Sequence, residues 1–596
     1  FTFLYKSSDP SQTGLLVYNP ENPPSDVAET TTNEGTTLPF IVRQELGYQD
    51  RDQYKILTLF QPGLDWQPWA PQPQWNRKLL ITHGGNCGAS YTPGNAPLED
   101  YAGTIPENPA FEQSYIRALG QGFAVMSTAL DNTGHNCNLA LGAESIMMAK
   151  ERLVEQYGEL RYTIGTGCSG GSIAQATMAN AYPGLYQGLL TMCAYPDTFS
   201  AGAQFADYHL LRKYFEDPSR WALDAPWTPS QMAEVYGHIS PVNAIAADEL
   251  LFKAALTPIG DCFGAGSYDP VTQPGGVRCG VIEYMSILWG FREPSKWSPM
   301  EIAAGKSFAG LPLGNSGIQY GLTALQQGLI TPGQFVDVNQ KIGGLDIDVQ
   351  PQAARTEADR PATGNAYRSG MVNMANQLNT VGIINFLGPD PGAAHDSVHA
   401  FWVRWRLDRE HGNHDNHIMW GGPAALIGDP NFVYLGLEAM DGWLAEVEKD
   451  SSSDPIALKL TRNKPASLHD DCSNGSGVFT GQEACIDGLE AAYAYSTPRN
   501  VAGGLRENDS MECQRKAFSR EDDYGLVPFT EAQWLALEAL FADGVCDYSK
   551  PALDQGPTLT WLSYQNASGQ AVYGGTPLPP APERSRSGWN SPAFKY

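Results

Sequence analysis

The strongest constraint on the fold is a regular alternation of short β-branched runs and helical patterns. Strand-like runs between Leu38 and Val125 lead to the segment NLALGAESIMMAKERLVEQYG, whose apolar residues recur at helical spacing and whose Asn138 can cap the amino end. The run RYTIGTG, a helix from about Ser172 to Ala181 and the run GLLTMCAYPD continue the pattern. Strands that alternate with helices form parallel sheets through right-handed crossovers. The sequence therefore predicts an α/β fold with a doubly wound, mostly parallel sheet.

The alternation is interrupted once and then resumes. The interrupting region carries several Pro/Gly-rich loops without a clean strand and helix pattern, which indicates an inserted lid or cap. The runs VGIINFLGPDPGAAH and NHIMWGG, each followed by a helical pattern, then predict the last two strands of the sheet. We expect four parts: residues 1–197 as the first half of the core, 198–379 as the lid, 380–450 as the second half of the core, and 451–596 as a cysteine-stapled C-terminal extension.

Charge and hydropathy exclude two classes of partner. The chain has 596 residues and a formal net charge of −27 at pH 7, which disfavours binding to nucleic acid or to anionic membranes. No run of 18 apolar residues is present, so we expect no membrane-spanning helix. The oligomeric state cannot be read from this composition.

The cysteines indicate an oxidising compartment. The ten cysteines include no C-x-x-C motif and fall into five successive pairs of near neighbours in sequence. This arrangement suits disulfides better than zinc clusters. We predict pairing in order, from Cys87 with Cys137 to Cys513 with Cys546, although ten cysteines allow many connectivities; free buried thiols in a cytosolic enzyme are the alternative. Because the chain begins at Phe1 without Met, we also expect that a leader was removed, and hence a secreted or periplasmic protein.

A candidate nucleophile lies between the central strand and helix of the first half. The segment Gly167-Cys168-Ser169-Gly170-Gly171 has the G-x-S-x-G pattern, with a strand before it and a helix after it. Such a turn projects the serine hydroxyl over the carboxyl edge of the sheet, and the amide of Gly170 can face a developing oxyanion. The alternative is that the glycines only allow close packing of helix and strand.

A second feature suggests the other half of an oxyanion hole. His83, Gly84 and Gly85 follow directly after the third predicted strand, so the amide of Gly85 or Asn86 is the expected donor. By itself this segment could equally be an ordinary turn with a loop histidine.

The base and the acid of a catalytic triad are harder to assign. Asp390, in FLGPDPG after the strand that follows the lid, is the leading acid, with Asp396 and Asp197 as alternatives. The loop after NHIMWGG, where the base is expected, contains no histidine. His395 and His399 lead instead because they lie in or beside the Asp390 loop. The remaining downstream histidines are His411 and His414, which we expect to be solvated, His417, which we expect to be structural, and His469, which requires the C-terminal extension to fold over the site.

Metals and cofactors are not expected. The REHGNHDNH segment lacks the spacing of helical metal ligands, and no phosphate-binding glycine motif has a suitable context. Asp346 and Asp348 in GGLDIDVQ could bind Ca²⁺, but a solvated loop is the simpler interpretation.

The segments PFIVRQELGYQDRDQY, AESIMMAKERLVEQYGELRYTIGTGCSGGSIAQ, LITPGQFVDVNQKIGGLDID and FADGVCDYS carry a resemblance to a known family. From about residue 38 to 550 the chain resembles a largely uncharacterised bacterial family of large secreted α/β-hydrolases, distantly related to tannases and feruloyl esterases. In tannase-like enzymes a cysteine before the serine is disulfide-linked to one beside the catalytic histidine. Cys168 matches the first; the nearest match to the second is Cys472 with His469.

The resemblance implies a secreted serine hydrolase that cleaves carboxylic esters through an acyl-enzyme intermediate. Small-molecule or polymeric esters are the expected substrates. Three alternatives stay open from the sequence: a polyester depolymerase, a peptidase or amidase with the same catalytic groups, and a noncatalytic binding scaffold on the same fold.

Overall fold

The computed structural model describes residues 1–98, 112–561, 564–565, 571–573, 590–591 and 593–594, so part of the predicted C-terminal extension lies outside the described residues. Its strands are β1 Thr2–Tyr5, β2 Leu16–Val17, β3 Glu29–Thr31, β4 Thr37–Pro39, β5 Ile41–Gln49, β6 Asp52–Leu59, β7 Leu79–Thr82, β8 Ala124–Thr128, β9 Thr163–Cys168, β10 Gly188–Met192, β11 Gly344–Leu345, β12 Pro351–Gln352, β13 Gly382–Leu387, β14 His417–Gly421, β15 Asp471–Cys472, β16 Arg515–Lys516, β17 Val545–Cys546, β18 Tyr564–Gln565 and β19 Ala571–Tyr573.

One sheet organises the described part of the chain. Its order is β15-β14-β13-β10-β9-β7-β8-β6-β5-β1-β2, with the strands from β15 to β8 parallel and the remaining pairs antiparallel. The strands β7, β8, β10, β13 and β14 are buried along their whole lengths, as expected for a sheet covered on both faces. The predicted α/β-hydrolase fold is confirmed.

Helices cover both faces of the sheet and form the insertion. The first half of the core contains α1 Ser114–Gly120, α2 Leu139–Tyr157 and α3 Gly170–Ala181. Between β10 and β13 lie α4 Thr198–Phe215, α5 Pro229–Tyr236, α6 Pro241–Ala246, α7 Lys253–Leu256, α8 Val281–Tyr284, α9 Ser286–Trp289, α10 Pro299–Ala304, α11 Leu322–Gln326, α12 Pro332–Lys341 and α13 Arg360–Arg368. The remaining helices are α14 Val398–His411, α15 Phe432–Lys449, α16 Ile456–Arg462, α17 Cys485–Tyr493 and α18 Glu531–Leu540.

Helices of the core and of the insertion begin at local sequence signals. Asn138 caps α2, as predicted, because its side chain accepts hydrogen bonds from the amides of Ala140 and Leu141. The helices α5, α10 and α12 each begin with a capping box and a proline in the first turn. No helix of the described residues is long and apolar enough to cross a membrane.

The C-terminal extension contributes more to the core than the sequence indicated. Its strand β15 pairs in parallel with β14 and extends the sheet by one strand. At only two residues, β15 carries no periodicity that sequence analysis could detect.

The buried Arg406 of α14 joins three parts of the chain. Its guanidinium donates to the Asp197 carboxylate at 2.7 Å, to the carbonyl of Asn373 in the insertion at 2.8 Å and to the carbonyl of Glu507 in the extension. Asp197 also accepts from the amide of Ser200, which makes it the cap of α4. Asp197, an alternative for the catalytic acid, is therefore occupied by a structural role.

All ten cysteines lie in the described part of the chain and pair in sequence order. The bonds are Cys87–Cys137, Cys168–Cys193, Cys262–Cys279, Cys472–Cys485 and Cys513–Cys546. The predicted pairing is confirmed, and the link between Cys168 and Cys472 that the resemblance suggested is absent. Cys193 directly follows β10, the neighbour of β9, so Cys168 finds its partner at the same edge of the sheet.

Candidate active site

Ser169 lies on a sharp turn between β9 and α3. Its backbone has φ 58° and ψ −115°, a conformation that costs free energy for a residue with a side chain and recurs at functional sites. A Cβ atom at Gly170 would lie 1.9 Å from the carbonyl oxygen of Asn86, so only glycine fits after the serine. The turn therefore raises Ser169 to the carboxyl edge of the sheet, and its side chain is half-buried there.

His395 faces the serine from the loop between β13 and α14. Its Nε2 lies 2.9 Å from Ser169 Oγ, within hydrogen-bond distance. The loop is fixed at Ala394, directly before the imidazole: the amide of Ala394 donates to the Asn243 side chain, and the Tyr195 hydroxyl donates to the Ala394 carbonyl. The Tyr195 ring also meets the imidazole edge-on, with centroids 5.3 Å apart. The imidazole thus reaches Ser169 from the loop after β13, one strand before the loop in which the sequence analysis expected the base.

No carboxylate of the described residues lies within 4.0 Å of a ring nitrogen of His395. Burial lowers the pKa of this imidazole below its usual range, and a backbone hydrogen bond with Ala393 opposes the shift only in part. The imidazole is therefore neutral at pH 7, the state in which it accepts a proton.

Asp390 does not reach His395. Its carboxylate accepts hydrogen bonds from the amides of Gly392 and Ser397, which closes the loop on itself, and its nearest imidazole is His238 at 3.5 Å. Asp390, the leading acid of the sequence analysis, is placed as a loop-closing residue because these two amides turn its carboxylate inward.

Asp396 adjoins His395 in sequence, yet its side chain is held elsewhere. It accepts hydrogen bonds from Gln204 at 2.9 Å and Asn243 at 3.1 Å. Burial raises its pKa to about 6, and the nearby His238 opposes that shift.

The other candidate histidines do not contact Ser169. His399 is buried in α14 with Nε2 2.8 Å from Gln204 Oε1, and its ring packs on Tyr195. His469 lies beside Glu483, and Cys472 pairs with Cys485, so the C-terminal extension does not bring His469 over the serine. The structure also places His411 against the Ala375 carbonyl, His414 against Asp408 and His417 against Arg404.

Two backbone amides converge near the serine. The backbones of Asn86 and Gly170 are in close contact, and neither amide has an acceptor among the described residues. Asn86 has φ 69°, which turns its peptide out of the strand direction of β7. Gly85, the other candidate for the upstream oxyanion donor, is buried, and its carbonyl contacts Gly134. Asn86 lines the pocket together with Ser169, whereas Gly85 does not. The Asn86 and Gly170 pair can hold an oxyanion between two N–H groups.

An apolar pocket opens beside the serine. Its walls come from the start of α3, the first two turns of α4 and the segment that runs from a π-helical turn, Ala247–Phe252, into α7. The apolar side chains that line it include Ile173, Phe199, Phe205, Leu251, Phe252 and Leu256. The insertion therefore forms much of the pocket wall.

One group of described side chains has the composition of a metal site: His238, Asp390 and Asp396, whose ligand atoms lie within 4.8 Å of one another. The Ser240 amide donates to His238 Nδ1, so in the neutral ring Nε2 carries the proton and cannot ligate a metal. Burial of the imidazole lowers the pKa of His238, but the two carboxylates raise it, and the net shift is upward. The group fits an ion-paired histidine and carboxylate cluster better than a metal centre.

The solvated loop expected for the GGLDIDVQ segment is wrong for Asp348. Its carboxylate is buried between the Arg278 guanidinium and the Tyr268 hydroxyl. Asp346 accepts the amides of Asp348 and Gln350 within its own turn.

Sequence analysis missed several residues that shape this site. Tyr195 follows β10 and its ring contacts both His395 and His399, whereas the sequence drew attention only to the nearby Asp197. Asn243 comes from the insertion, about 150 positions before the loop that it anchors. The position of Tyr195 after a core strand could have marked it, but no local pattern marks Asn243.

Comparison with known proteins finds one matching family and several similar solved structures. The profile of a family described as "Tannase-like family of unknown function" matches residues 1–557, and no curated protein matches the sequence. Feruloyl esterase B from Aspergillus oryzae is 11% identical, with a TM-score of 0.32, over 70% of this chain and 85% of that chain. An esterase from Aspergillus oryzae is 11% identical, with a TM-score of 0.27, over 67% and 78%. The family match confirms the tannase-like resemblance inferred from the sequence.

Proposed function

The chain belongs to the tannase-like family of unknown function, and from this premise and the site geometry we propose that it is a serine hydrolase that cleaves carboxylic esters through an acyl-enzyme. The family and the α/β-hydrolase fold indicate a hydrolase of the ester-cleaving kind. The observation that carries the finer proposal is the 2.9 Å approach of Ser169 Oγ to His395 Nε2 beside two unpaired amides. Five disulfides fit a compartment outside the cytoplasm.

The proposed reaction has two half-reactions. In the first, Ser169 Oγ attacks the ester carbonyl while His395 Nε2 takes its proton, and the amides of Asn86 and Gly170 hold the oxyanion. The tetrahedral intermediate collapses as His395 returns the proton to the leaving alcohol. In the second, a water molecule attacks the acyl-serine by the same route and releases the carboxylic acid. In place of a triad carboxylate, the clamped loop and the Tyr195 ring orient the imidazole.

The direct test of this proposal is the pre-steady-state hydrolysis of p-nitrophenyl acetate. Formation of the acyl-enzyme releases p-nitrophenol before the acetyl group is hydrolysed from Ser169. We therefore expect a burst of one equivalent of p-nitrophenol per chain, followed by a slower steady state. Ligand binding without release of p-nitrophenol would favour the noncatalytic scaffold, and turnover of the matching anilide at a comparable rate would favour an amidase.

The pH dependence of activity follows from the environment of His395. Because burial lowers its pKa, we expect kcat/KM to rise with pH to a plateau through a midpoint below 6.5, the ordinary value for histidine. Asp396 also titrates in this range, so the profile should be repeated in Asp396→Asn. A midpoint above 6.5 in both proteins would mean that a carboxylate pairs with the imidazole, contrary to this geometry.

A further inference from the structure

The pocket beside Ser169 indicates which group of the substrate it receives. Asn86, Ser169 and Gly170 line it, whereas His395 does not. The histidine donates its proton to the leaving alcohol, so the alcohol lies on the His395 side and the acyl group lies on the opposite side. The pocket is therefore on the acyl side of the proposed reaction.

The chemistry of the lining restricts the acyl group. No charged side chain lines the pocket, and polar side chains are a minority of its lining. Tyr195 donates to the Ala394 carbonyl, Thr198 Oγ1 lies 3.3 Å from Cys137 Sγ, and the Asn86 side chain accepts from the amide of Cys87. A carboxylate on the acyl group would lose its hydration here without an opposite charge to compensate it, and a phenolic hydroxyl would meet mostly apolar side chains.

One residue of the lining leaves room for the substrate. Gly202 is buried in the second turn of α4 and lines the pocket, yet a Cβ atom built on it has no atom within 4 Å. A buried position with empty space in front of it faces the cavity itself. A methyl group at this position would occupy that space without displacing a neighbouring residue.

We propose that this site accepts esters of uncharged aliphatic acids, and that Gly202 leaves the space into which the acyl chain extends. The inference rests on the proposed function and adds the substrate class to it. The mostly apolar lining favours methylene groups because they leave water on binding, and it disfavours charged and hydroxylated acyl groups because it offers no charged partner and few polar ones.

The test compares p-nitrophenyl acetate, butyrate, hexanoate, hemisuccinate and 4-hydroxybenzoate in the wild type and in Gly202→Ala and Gly202→Leu. In the wild type we expect kcat/KM for butyrate to exceed that for acetate, and that for hemisuccinate to be about 100-fold below butyrate. Gly202→Leu should lower kcat/KM for butyrate and hexanoate at least about tenfold while acetate changes less than about threefold. Gly202→Ala, which favours the helix, should give the same trend more weakly.

Matched substitutions at Gly442 control for effects on the helix. Gly442 is an exposed glycine of α15 with no atom within 4 Å of a built Cβ, and it does not line the acyl pocket, so Gly442→Leu should leave the preference unchanged. Equal loss on acetate and hexanoate in Gly202→Leu would overturn the inference, as would wild-type hydrolysis of hemisuccinate or 4-hydroxybenzoate as fast as butyrate. If either of these results is obtained and an ethyl fluorophosphonate still labels Ser169, the proposed function would stand although the substrate class would not. A wild type that neither labels nor hydrolyses any of these esters would overturn both.

Discussion

Ser169→Ala is expected to lower kcat/KM for p-nitrophenyl acetate by at least about 10⁴-fold, because the proposed reaction has no other nucleophile. The small remainder would come from the amides of Asn86 and Gly170, which still polarise a bound carbonyl. The substitution removes one half-buried hydroxyl and adds no atom to the turn, so the thermal unfolding temperature should stay within about 2 °C of the wild type.

Ser172→Ala is the matched control for the turn. The Ser172 hydroxyl donates to the Ser169 carbonyl at 2.6 Å and accepts the Tyr195 amide, so its loss disturbs the same turn without removing the proposed nucleophile. We expect kcat/KM to decrease by about tenfold or less in this variant, because both lost hydrogen bonds are between neutral groups. Equal losses in the two variants would contradict the nucleophile assignment, since damage to the turn alone would then explain both.

His395→Ala is expected to lower kcat by about 10³-fold or more, because Ser169 then has no group to accept its proton. The imidazole does not line the pocket, so its removal should change kcat more than KM. Added imidazole should restore part of the lost rate in this variant, and it should not do so in Ser169→Ala.

His469→Ala is the control for the histidine assignment. His469 is partly exposed beside Glu483, and no contact of the described residues joins it to Ser169. We expect full activity in this variant. Activity lost in His469→Ala and kept in His395→Ala would contradict the geometry and return the base to the C-terminal extension.

Local patterns were enough to predict the frame of this site. The β9 strand, the α3 helix and the glycines around Ser169 are set by residues adjacent in sequence, and the cysteine pairs are also near neighbours. His395 was one of two leading histidines because it follows a core strand, and only the structure distinguishes it from His399. Which of the two imidazoles faces Ser169 depends on the conformation of the loop before α14. The periodicity of strands and helices does not determine that conformation.

Long-range contacts explain what sequence analysis could not predict. Asp390 follows the expected strand, but two amides of its own loop take up its carboxylate. The His395 loop is held by Tyr195 and Asn243, which come from distant parts of the chain. No sequence pattern links these two residues to the loop. Chain order therefore predicts a triad acid at Asp390, whereas in the structure this segment is a loop held by hydrogen bonds.

The most direct test of the proposed function is the site of reaction with a fluorophosphonate. The wild type, incubated with an ethyl fluorophosphonate probe, should gain the mass of one adduct, and peptide mapping should place that adduct on Ser169. Ser169→Ala should gain none. An adduct on another residue, or an unmodified wild type that nevertheless hydrolyses p-nitrophenyl acetate, would contradict the assignment of Ser169 as the nucleophile.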